Sequence, residues 1–367
     1  MIPFLDLKQV TAPYREDLLE AITRVLDSGW FVNGVEVKKF ELEFAEFCGT
    51  SFCAGVGNGF DALNLTLRAW IEMGYLQEGD EVIIPSTAYI ASLLAVTQNR
   101  LLPVFVEAEP DSSNIDAAKI SDAITAKTRV IMPVHLFGEL SNMPEIMKIA
   151  EQHKLLVLED CAQAHGASIN GRRAGSWGDA GAFSFYPTKN LGALGDAGCI
   201  TSDDEQLVEV ARSLRNYGST KKYQNDYKGV NSRLDELQAA VLRVKLKHLE
   251  TDNSGRRKIA KHYLSHIKQK LITLPRSVDE ARHVWHLFVV AVEHREEFRS
   301  FLLERGVQTD IHYPIAPHHQ LAYSELRDLS FPLSEKRHRE VVSLPISPVM
   351  DIAQADEVVT AVNAFGV

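Results

Sequence analysis

A chain of 367 residues is longer than one ordinary hydrophobic core supports, so its length predicts two domains. Hydrophobic residues make up 45% of the chain and charged residues 24%, a composition typical of globular proteins. The net charge of −10 argues against a nucleic-acid partner, because the protein as a whole repels polyanions.

The sequence shows neither a membrane-spanning segment nor a cysteine pattern typical of disulfides or metal sites. No apolar run approaches the length that spans a bilayer, and the first ten residues lack the basic and apolar regions of a signal peptide. Neither zinc-site spacing nor a disulfide framework is found among the four cysteines, Cys48, Cys53, Cys161 and Cys199. We therefore expect a cytoplasmic protein with reduced cysteines, no metal site and no membrane partner.

Apolar runs alternate with helical patterns through the first two thirds of the chain. The first helix is predicted at 13–28, where Ser28 and Gly29 end the apolar spacing. Strands are predicted at 81–85, 102–106, 129–137, 155–160, 180–185 and 198–201, with helices at 88–98 and 142–153. Continuous apolar strands that alternate with helices are typical of a largely parallel sheet covered on both faces.

The pattern changes in the last third of the chain. Residues 234–249 predict a helix that is apolar on almost every side, so it is buried or lies at an interface, and it connects the domains. A strand at 285–292 and helices at 295–305 and 353–365 follow. The sequence thus predicts an α/β fold with a large domain, residues 1–250, and a smaller α+β domain, residues 251–367.

Asp160 ends the apolar run of 155–160. In open α/β sheets, ligands bind beyond the carboxyl ends of the strands, which favours a functional site. An aspartate at the end of a strand is also a common helix N-cap, and the segment by itself leaves both interpretations open.

Lys189 follows a second apolar strand and lies in the glycine-rich segment GAFSFYPTKNLGALGDAG (181–198), with Ser184 upstream. Lysine normally occupies solvated surfaces, so its place here is unusual. A partly desolvated lysine has a lowered pKa and attacks carbonyl groups. This segment therefore predicts a nucleophilic lysine, against the alternative of a surface loop.

The segment GVGNGF (55–60) forms a glycine-rich turn before a predicted helix, and such a helix start binds phosphate through its first N–H groups. A dinucleotide fingerprint requires glycine at position 60, where this chain has Phe60. The sequence therefore disfavours a nicotinamide enzyme. A phosphate cradle, a strand-end acid and a lysine are together the parts of a pyridoxal-phosphate (PLP) site.

With these motifs the chain resembles the DegT/StrS group of nucleotide-sugar aminotransferases, which have the type I PLP-dependent aminotransferase fold. The resemblance covers nearly the whole chain. It rests on the opening IPFLDL, SGWFVNG (28–34), NGFDAL (58–63), EDCAQAHGA (159–167), FSFYPTKNLG (183–192), RNYGSTKKY (215–223), NSRLDELQAA (231–240) and IHYPI (311–315).

The resemblance implies a set of cofactor-binding residues. Lys189 would form the Schiff base and move protons, and Asp160 would pair with the pyridinium nitrogen. The remaining contacts would come from Gln163 near the phenolic oxygen, Tyr89 on the ring, and Ser184, Gly59, Phe60 and Asn231 at the phosphate. Asn231 would reach over from a partner subunit, which implies a homodimer with shared sites. Phe60 stands where the family most often has a threonine or serine, so one phosphate hydroxyl is missing.

The resemblance also implies a substrate. Tyr217, Lys221, Lys222 and Tyr223 fall where such enzymes hold the nucleotide diphosphate. Trp30, His312, Tyr313 and His318 are candidate sugar-pocket residues. RNYGSTKKY is most similar to enzymes that aminate C-3 of dTDP-3-keto-6-deoxyhexoses, with L-glutamate as donor and the galacto epimer favoured over the gluco epimer.

Three alternatives stand beside this interpretation. A sugar dehydratase of the same fold carries histidine where this chain has Lys189. A non-catalytic regulator of the same fold is expected to have lost Lys189 or Asp160, and both are present. Amination at C-4 instead of C-3 stays open on chemical grounds.

Overall fold

The computed structural model describes residues 1–366. Its strands are β1 (Phe52–Val56), β2 (Glu81–Pro85), β3 (Leu102–Val106), β4 (Thr128–Ile131), β5 (Leu156–Asp160), β6 (Ser168–Ile169), β7 (Arg172–Arg173), β8 (Ala180–Ser184), β9 (Gly198–Ser202), β10 (Ser219–Lys221), β11 (Gln224–Asn225), β12 (Ile272–Thr273), β13 (Phe288–Val292) and β14 (Val341–Leu344).

The α-helices are α1 (Leu7–Thr11), α2 (Arg15–Ser28), α3 (Val35–Cys48), α4 (Gly59–Glu72), α5 (Ile90–Gln98), α6 (Ala117–Ile120), α7 (Met143–His153), α8 (Glu205–Leu214), α9 (Glu236–Leu246), α10 (Leu249–His266), α11 (Arg295–Glu304), α12 (Pro332–Glu340) and α13 (Ile352–Asn363). No helix in residues 1–366 is long and apolar enough to cross a membrane.

The main sheet has seven strands in the order β1-β9-β8-β5-β4-β2-β3. Only β9 runs against the others, because both of its neighbours, β1 and β8, pair with it antiparallel. Successive residues of β2 face different cores: Ile83 joins one buried cluster, and Val82 and Ile84 join the other. The sheet is therefore covered on both faces, and the predicted α/β fold class is confirmed.

Each face of the sheet has its own helices. On one face Phe40 and Phe44 of α3 pack with Phe183 of β8. On the other face Leu67 and Trp70 of α4 pack in the cluster that also includes residues of α5 and α8. This layering leaves the carboxyl ends of the parallel strands free for a site, as expected for doubly covered sheets.

A second core lies in the last third of the chain. Strands β12, β13 and β14 form an antiparallel sheet, against which Tyr263 of α10 and Phe298 of α11 are buried. Ile2 pairs with Val307, so the first residues of the chain pack on this unit. The predicted boundary after residue 250 falls in the first turn of α10 and stays a prediction.

Three elements differ most from the sequence prediction. Strand β1 is absent from the prediction, because Gly55 suggested a turn; in the structure a Cβ at Gly55 would lie 2.7 Å from Leu234, so the glycine permits close packing. Strand β4 ends at Ile131, and the chain then turns through 136–138, where Phe137 has a φ of 61°. The helix predicted at 234–249 is two helices, α9 and the start of α10, and no glycine or proline marks the break.

Candidate active site

Asp160 lies at the carboxyl end of β5 with 6% of its surface exposed. Ser92 Oγ donates a hydrogen bond to its Oδ2 at 2.8 Å, and the N–H of Ala162 donates to its Oδ1 at 3.2 Å. Burial raises the pKa of this carboxyl, while the two donors and the nearby Lys189 and His135 oppose the rise. Asp160 is therefore a buried acid whose orientation is fixed and whose charge depends on a positive partner.

Lys189 lies after β8, in a loop that we call the lysine loop (residues 185–193). The loop is closed by hydrogen bonds from Ala193 N–H to the Phe185 carbonyl at 2.7 Å and from Lys189 N–H to the Tyr186 carbonyl at 2.8 Å. Burial lowers the pKa of the Lys189 amine to about 8, and the attraction of Asp160 opposes that change. A substantial fraction of the amine is then neutral near pH 7.5, as a nucleophile requires.

A cradle for an anion lies where α4 begins. Asn58 caps the helix by accepting the N–H of Asp61 at 2.8 Å, which leaves the N–H groups of Gly59 and Phe60 without an acceptor in the helix. The backbone of Gly59 approaches Ser184 so closely that a Cβ at position 59 would lie 2.4 Å from the Ser184 Cβ. Backbone donors and a hydroxyl thus meet at one helix N-terminus, the arrangement that binds phosphate.

Phe60 takes no polar part in this cradle, because its side chain packs against the core that contains Leu63. Asp61, the next residue, accepts a hydrogen bond from Ser232 Oγ at 2.6 Å, and Gly57 N–H donates to the same hydroxyl at 3.0 Å. The turn before α4 is therefore held by Ser232, which precedes α9.

Gln163 connects the turn at Phe137 to Tyr313. Its Oε1 accepts the N–H of Phe137 at 2.6 Å, and its Nε2 donates to the Tyr313 hydroxyl at 3.0 Å. The Tyr313 ring in turn lies 4.6 Å from the ring of Tyr89, at an angle of 31°. The structure thus brings Tyr89, Gln163 and Tyr313 together, and Tyr89 keeps 47% of its surface exposed.

A cavity of about 220 Å³ opens beside the lysine loop, and Thr188, His286, Asp310 and His312 line it. His312 is fixed by a 2.9 Å hydrogen bond between its Nδ1 and Ser343 Oγ. Burial lowers the pKa of both histidines, that of His286 well below its ordinary value, so His286 is neutral. A neutral His286 and the Asp310 carboxylate therefore both line this space.

The predicted diphosphate residues lie apart from these groups, around the hairpin of β10 and β11. Tyr217 and Tyr223 are 52% and 91% exposed, and Lys221 and Lys222 are exposed as well. The Lys222 amine lies 5.2 Å from the Tyr223 ring centre, and Arg233 lies 5.7 Å from that of Tyr217. Within residues 1–366, no hydrogen bond or ion pair joins the hairpin to Lys189 or Asp160.

Three further predicted residues are also separate from the lysine loop. Asn231 is exposed beside Asn216, and Trp30 is 62% exposed with its Nε1 donating to the Val32 carbonyl at 2.7 Å. His318 has no exposed surface, and its ring packs edge-on against Phe105 and Phe331. Core residues therefore surround His318 in this structure, and its assignment to the sugar pocket stays a prediction.

The sequence interpretation missed Ser92, which fixes the Asp160 carboxylate. A signal for it exists: Ser92 interrupts an apolar helix and follows Tyr89 by three residues, so both lie on one helical face. It also missed Asn190, whose side chain makes three hydrogen bonds next to Lys189. No local pattern distinguishes Asn190, because its partners come from distant segments.

Comparisons with known proteins agree with this geometry. Residues 13–363 match the model of the DegT/DnrJ/EryC1/StrS aminotransferase family. The chain is 56% identical over 366 residues to the dTDP-3-amino-3,6-dideoxy-alpha-D-galactopyranose transaminase of Aneurinibacillus thermoaerophilus, with 100% of each chain covered.

Two solved structures are also similar. The crystal structure of S. venezuelae DesV in complex with a ketimine intermediate superposes with a TM-score of 0.94 at 46% identity, over 99% of this chain and 97% of that chain. NtdA from Bacillus subtilis, with bound cofactor PMP, has a TM-score of 0.90 at 33% identity, over 98% and 84%. The chain belongs to the DegT/DnrJ/EryC1/StrS aminotransferase family.

Proposed function

We propose that this aminotransferase uses PLP to transfer an amino group from L-glutamate to C-3 of a dTDP-3-keto-6-deoxyhexose, with the galacto epimer favoured. The observation that carries the proposal is the pairing of a lysine whose pKa is lowered to about 8 with a buried aspartate at the end of the neighbouring strand. The name of the A. thermoaerophilus relative supports the sugar, and its 56% identity extends over the full length.

The residues present fit PLP. The Gly59–Ser184 cradle would take the phosphate, and the space that a Cβ at position 59 would fill keeps the backbone donors accessible. Tyr89 would cover one face of the ring, and Gln163 would lie near its phenolic oxygen. The cofactor, when bound, supplies an aldehyde that takes up the amino group and a ring that withdraws electrons.

The chain itself supplies proton transfer and charge. Asp160 is desolvated and needs a positive partner, so it would keep a proton on the ring nitrogen, where a cation offsets the cost of its burial. The Lys189 amine has a pKa close to the working pH, so it can both accept and donate a proton at the carbon that reacts. One base can then serve both half-reactions.

Substrate recognition would fall to the hairpin of β10 and β11. A protein with a net charge of −10 attracts no diphosphate in general, so a local cluster of cations is required. Lys221 and Lys222 provide those cations, and the exposed Tyr223 beside them offers a ring on which a base can stack. The cluster is exposed in a single chain, which is consistent with a site that the substrate or a second subunit completes.

The regiochemistry is tested by the product. Purified protein, PLP and L-glutamate are incubated with 3-keto and 4-keto forms of dTDP-6-deoxyhexose, and the product is analysed by NMR. We expect the new amine on C-3 of the galacto-configured sugar. An amine on C-4 would contradict the C-3 assignment and support the alternative, while the aminotransferase reaction would stand.

We further propose a homodimer with shared sites, in which Asn231 of the partner subunit reaches the phosphate. Asn231 is exposed in one chain, as a residue that acts across an interface must be before assembly. Mixing Lys189→Ala protein with Asn231→Ala protein, under conditions of subunit exchange, should restore activity through one intact site in each heterodimer. Full turnover by a monomer would contradict this arrangement.

A further inference from the structure

Asn190, the residue after Lys189, connects the lysine loop to α10 and to the segment before β13. Its Nδ2 donates to the Asn253 Oδ1 at 2.8 Å and to the Val284 carbonyl at 2.9 Å. Its Oδ1 lies 3.1 Å from the Nδ1 of His286. The side chain thus makes contact with α10 and with the segment that leads into β13.

These partners fix the orientation of the Asn190 amide. Asn253 uses its own Nδ2 to donate to the His165 carbonyl at 2.9 Å, so the Oδ1 that faces Asn190 must be an acceptor. The Val284 carbonyl is an acceptor as well, and the Asn190 Nδ2 must therefore point at both. Through the His165 carbonyl, this hydrogen-bond network reaches the segment that also contains Gln163.

The same argument fixes the tautomer of His286. Because the Asn190 Oδ1 accepts, the neutral His286 ring must carry its proton on Nδ1. Its Nε2 is then an unprotonated acceptor on a residue that lines the cavity beside Thr188. A single amide therefore determines both the loop contact and the hydrogen-bonding character of this cavity wall.

Within residues 1–366, no hydrogen bond fixes the Lys189 amine directly. The amine makes no hydrogen bond or ion pair with any residue that the structure describes, so the backbone of the lysine loop sets its position. A second side-chain anchor of this loop is the buried Lys245, whose Nζ donates to the Gly192 carbonyl at 2.6 Å, three residues beyond Lys189. Asn190 is the anchor adjacent to the lysine.

We propose that Asn190 is a positioning residue that holds Lys189 in its reactive place and keeps His286 in the Nδ1–H tautomer. This inference rests on the proposed function, in which Lys189 carries the cofactor. A displaced lysine would still bind the cofactor, but it would transfer protons more slowly, because small errors in position cost much of the rate.

The test compares two buried-amide variants of the holoenzyme. Asn190→Ala removes the network, and Asn99→Ala is the matched control, because the Asn99 side chain also makes three hydrogen bonds, to Asn64 and Ala95, at the end of α5. Three quantities are measured: the melting temperature, kcat and KM for both substrates, and the pH midpoint at which the absorbance of the bound cofactor changes.

Asn190→Ala should lower kcat by about tenfold, leave KM for both substrates nearly unchanged, and shift the absorbance midpoint. Asn99→Ala should lower the melting temperature while kcat and the midpoint stay at wild-type values. If Asn190→Ala is insoluble, Asn190→Ser replaces it with the same expectation. An Asn190 variant that only loses stability, as Asn99→Ala does, would overturn the inference.

Failure of the proposed function has a different signature. Borohydride treatment of the wild-type holoenzyme should attach the cofactor to Lys189, as peptide mass spectrometry would detect. A wild-type protein with no label on Lys189 would refute the cofactor assignment itself. A labelled wild type with an unaffected Asn190 variant would refute only the positioning role.

Discussion

The surroundings of Lys189 and the hairpin of β10 and β11 contain most of the residues that the sequence assigned to the site, and they are built in opposite ways. Asp160 is buried and Ser92 fixes its carboxylate. In the hairpin, Lys222 and Tyr223 are exposed, and their mutual contact is the main one they make. The surroundings of Lys189 are therefore ordered within a single chain, whereas the side chains of the hairpin are exposed to solvent.

This difference suggests a division of labour. Groups that are fixed before a ligand arrives stabilise the transition state without reorganisation, so changes there should lower kcat. Exposed groups are ordered only when a ligand binds, so changes there should raise KM for the ligand that they hold. The following predictions test that division, from the largest expected effect to the smallest.

The largest effect should follow Lys189→Ala. Without the amine the chain has no group to hold the cofactor aldehyde or to move the proton, and turnover should fall by at least about 1,000-fold. Steady-state kinetics measures the loss. Lys148→Ala, a change on an exposed lysine of α7, is the control and should retain wild-type turnover. Transamination that persisted in Lys189→Ala would show that another residue holds the cofactor.

The pH dependence of cofactor capture should reveal the lowered pKa of Lys189. Only the neutral amine attacks an aldehyde, and a pKa of about 8 in place of 10.5 makes the neutral fraction near pH 7 roughly 300-fold larger. The rate at which apoenzyme binds PLP should therefore rise with pH and level off above about 8. Stopped-flow absorbance measures it, and a rate that still climbed steeply at pH 10 would contradict the shift.

Asp160→Asn should lower the rates of both half-reactions by roughly 100-fold, because a neutral amide cannot hold a proton on the ring nitrogen. The amide can still accept the Ser92 hydrogen bond, so the fold should be retained. The capture midpoint should also move to lower pH, since Asp160 raises the pKa of Lys189. Single-turnover kinetics separates the half-reactions. A loss of less than about threefold would show that the acid is structural.

Lys222→Ala should act on one substrate alone. A charge-assisted hydrogen bond to phosphate is worth about 1.5–3 kcal/mol, so KM for the sugar nucleotide should rise about tenfold or more. The half-reaction with glutamate, which has no diphosphate, should be nearly unchanged. Lys228→Ala, another exposed lysine close by, is the matched control. Equal decreases in the rates of both half-reactions would contradict a role of Lys222 in binding the sugar nucleotide alone.

The sequence predicts most reliably those parts of the molecule whose surroundings are uniform. Strands β2 and β3 match their predicted bounds, because each is a continuous apolar run with clear ends. Asp160 and Lys189 could be found for a related reason: a charged residue at the end of an apolar run, or in the glycine-rich loop after one, is conspicuous.

The parts that it misses depend on distant partners. Gly55 lies in a strand that pairs with β9 and packs against Leu234, and both partners are distant in sequence. Phe105 and Phe331 enclose the His318 ring, which its local sequence does not show, and its place in the sugar pocket stays a prediction. Asn190 is distinguished only by Asn253, Val284 and His286. Local patterns carry no information about such neighbours.

The antiparallel strand β9 has a consequence for how the protein reaches its folded state. Edge strand β1 leads into the phosphate cradle and pairs with β9. In that pairing Val56 lies opposite Gly198, which is far from it in sequence. Contacts of such long sequence separation form late and slowly. We therefore expect the cradle to be among the last parts of the main sheet to form. PLP present during refolding should then raise the yield, because a ligand that binds only the folded state favours it by mass action.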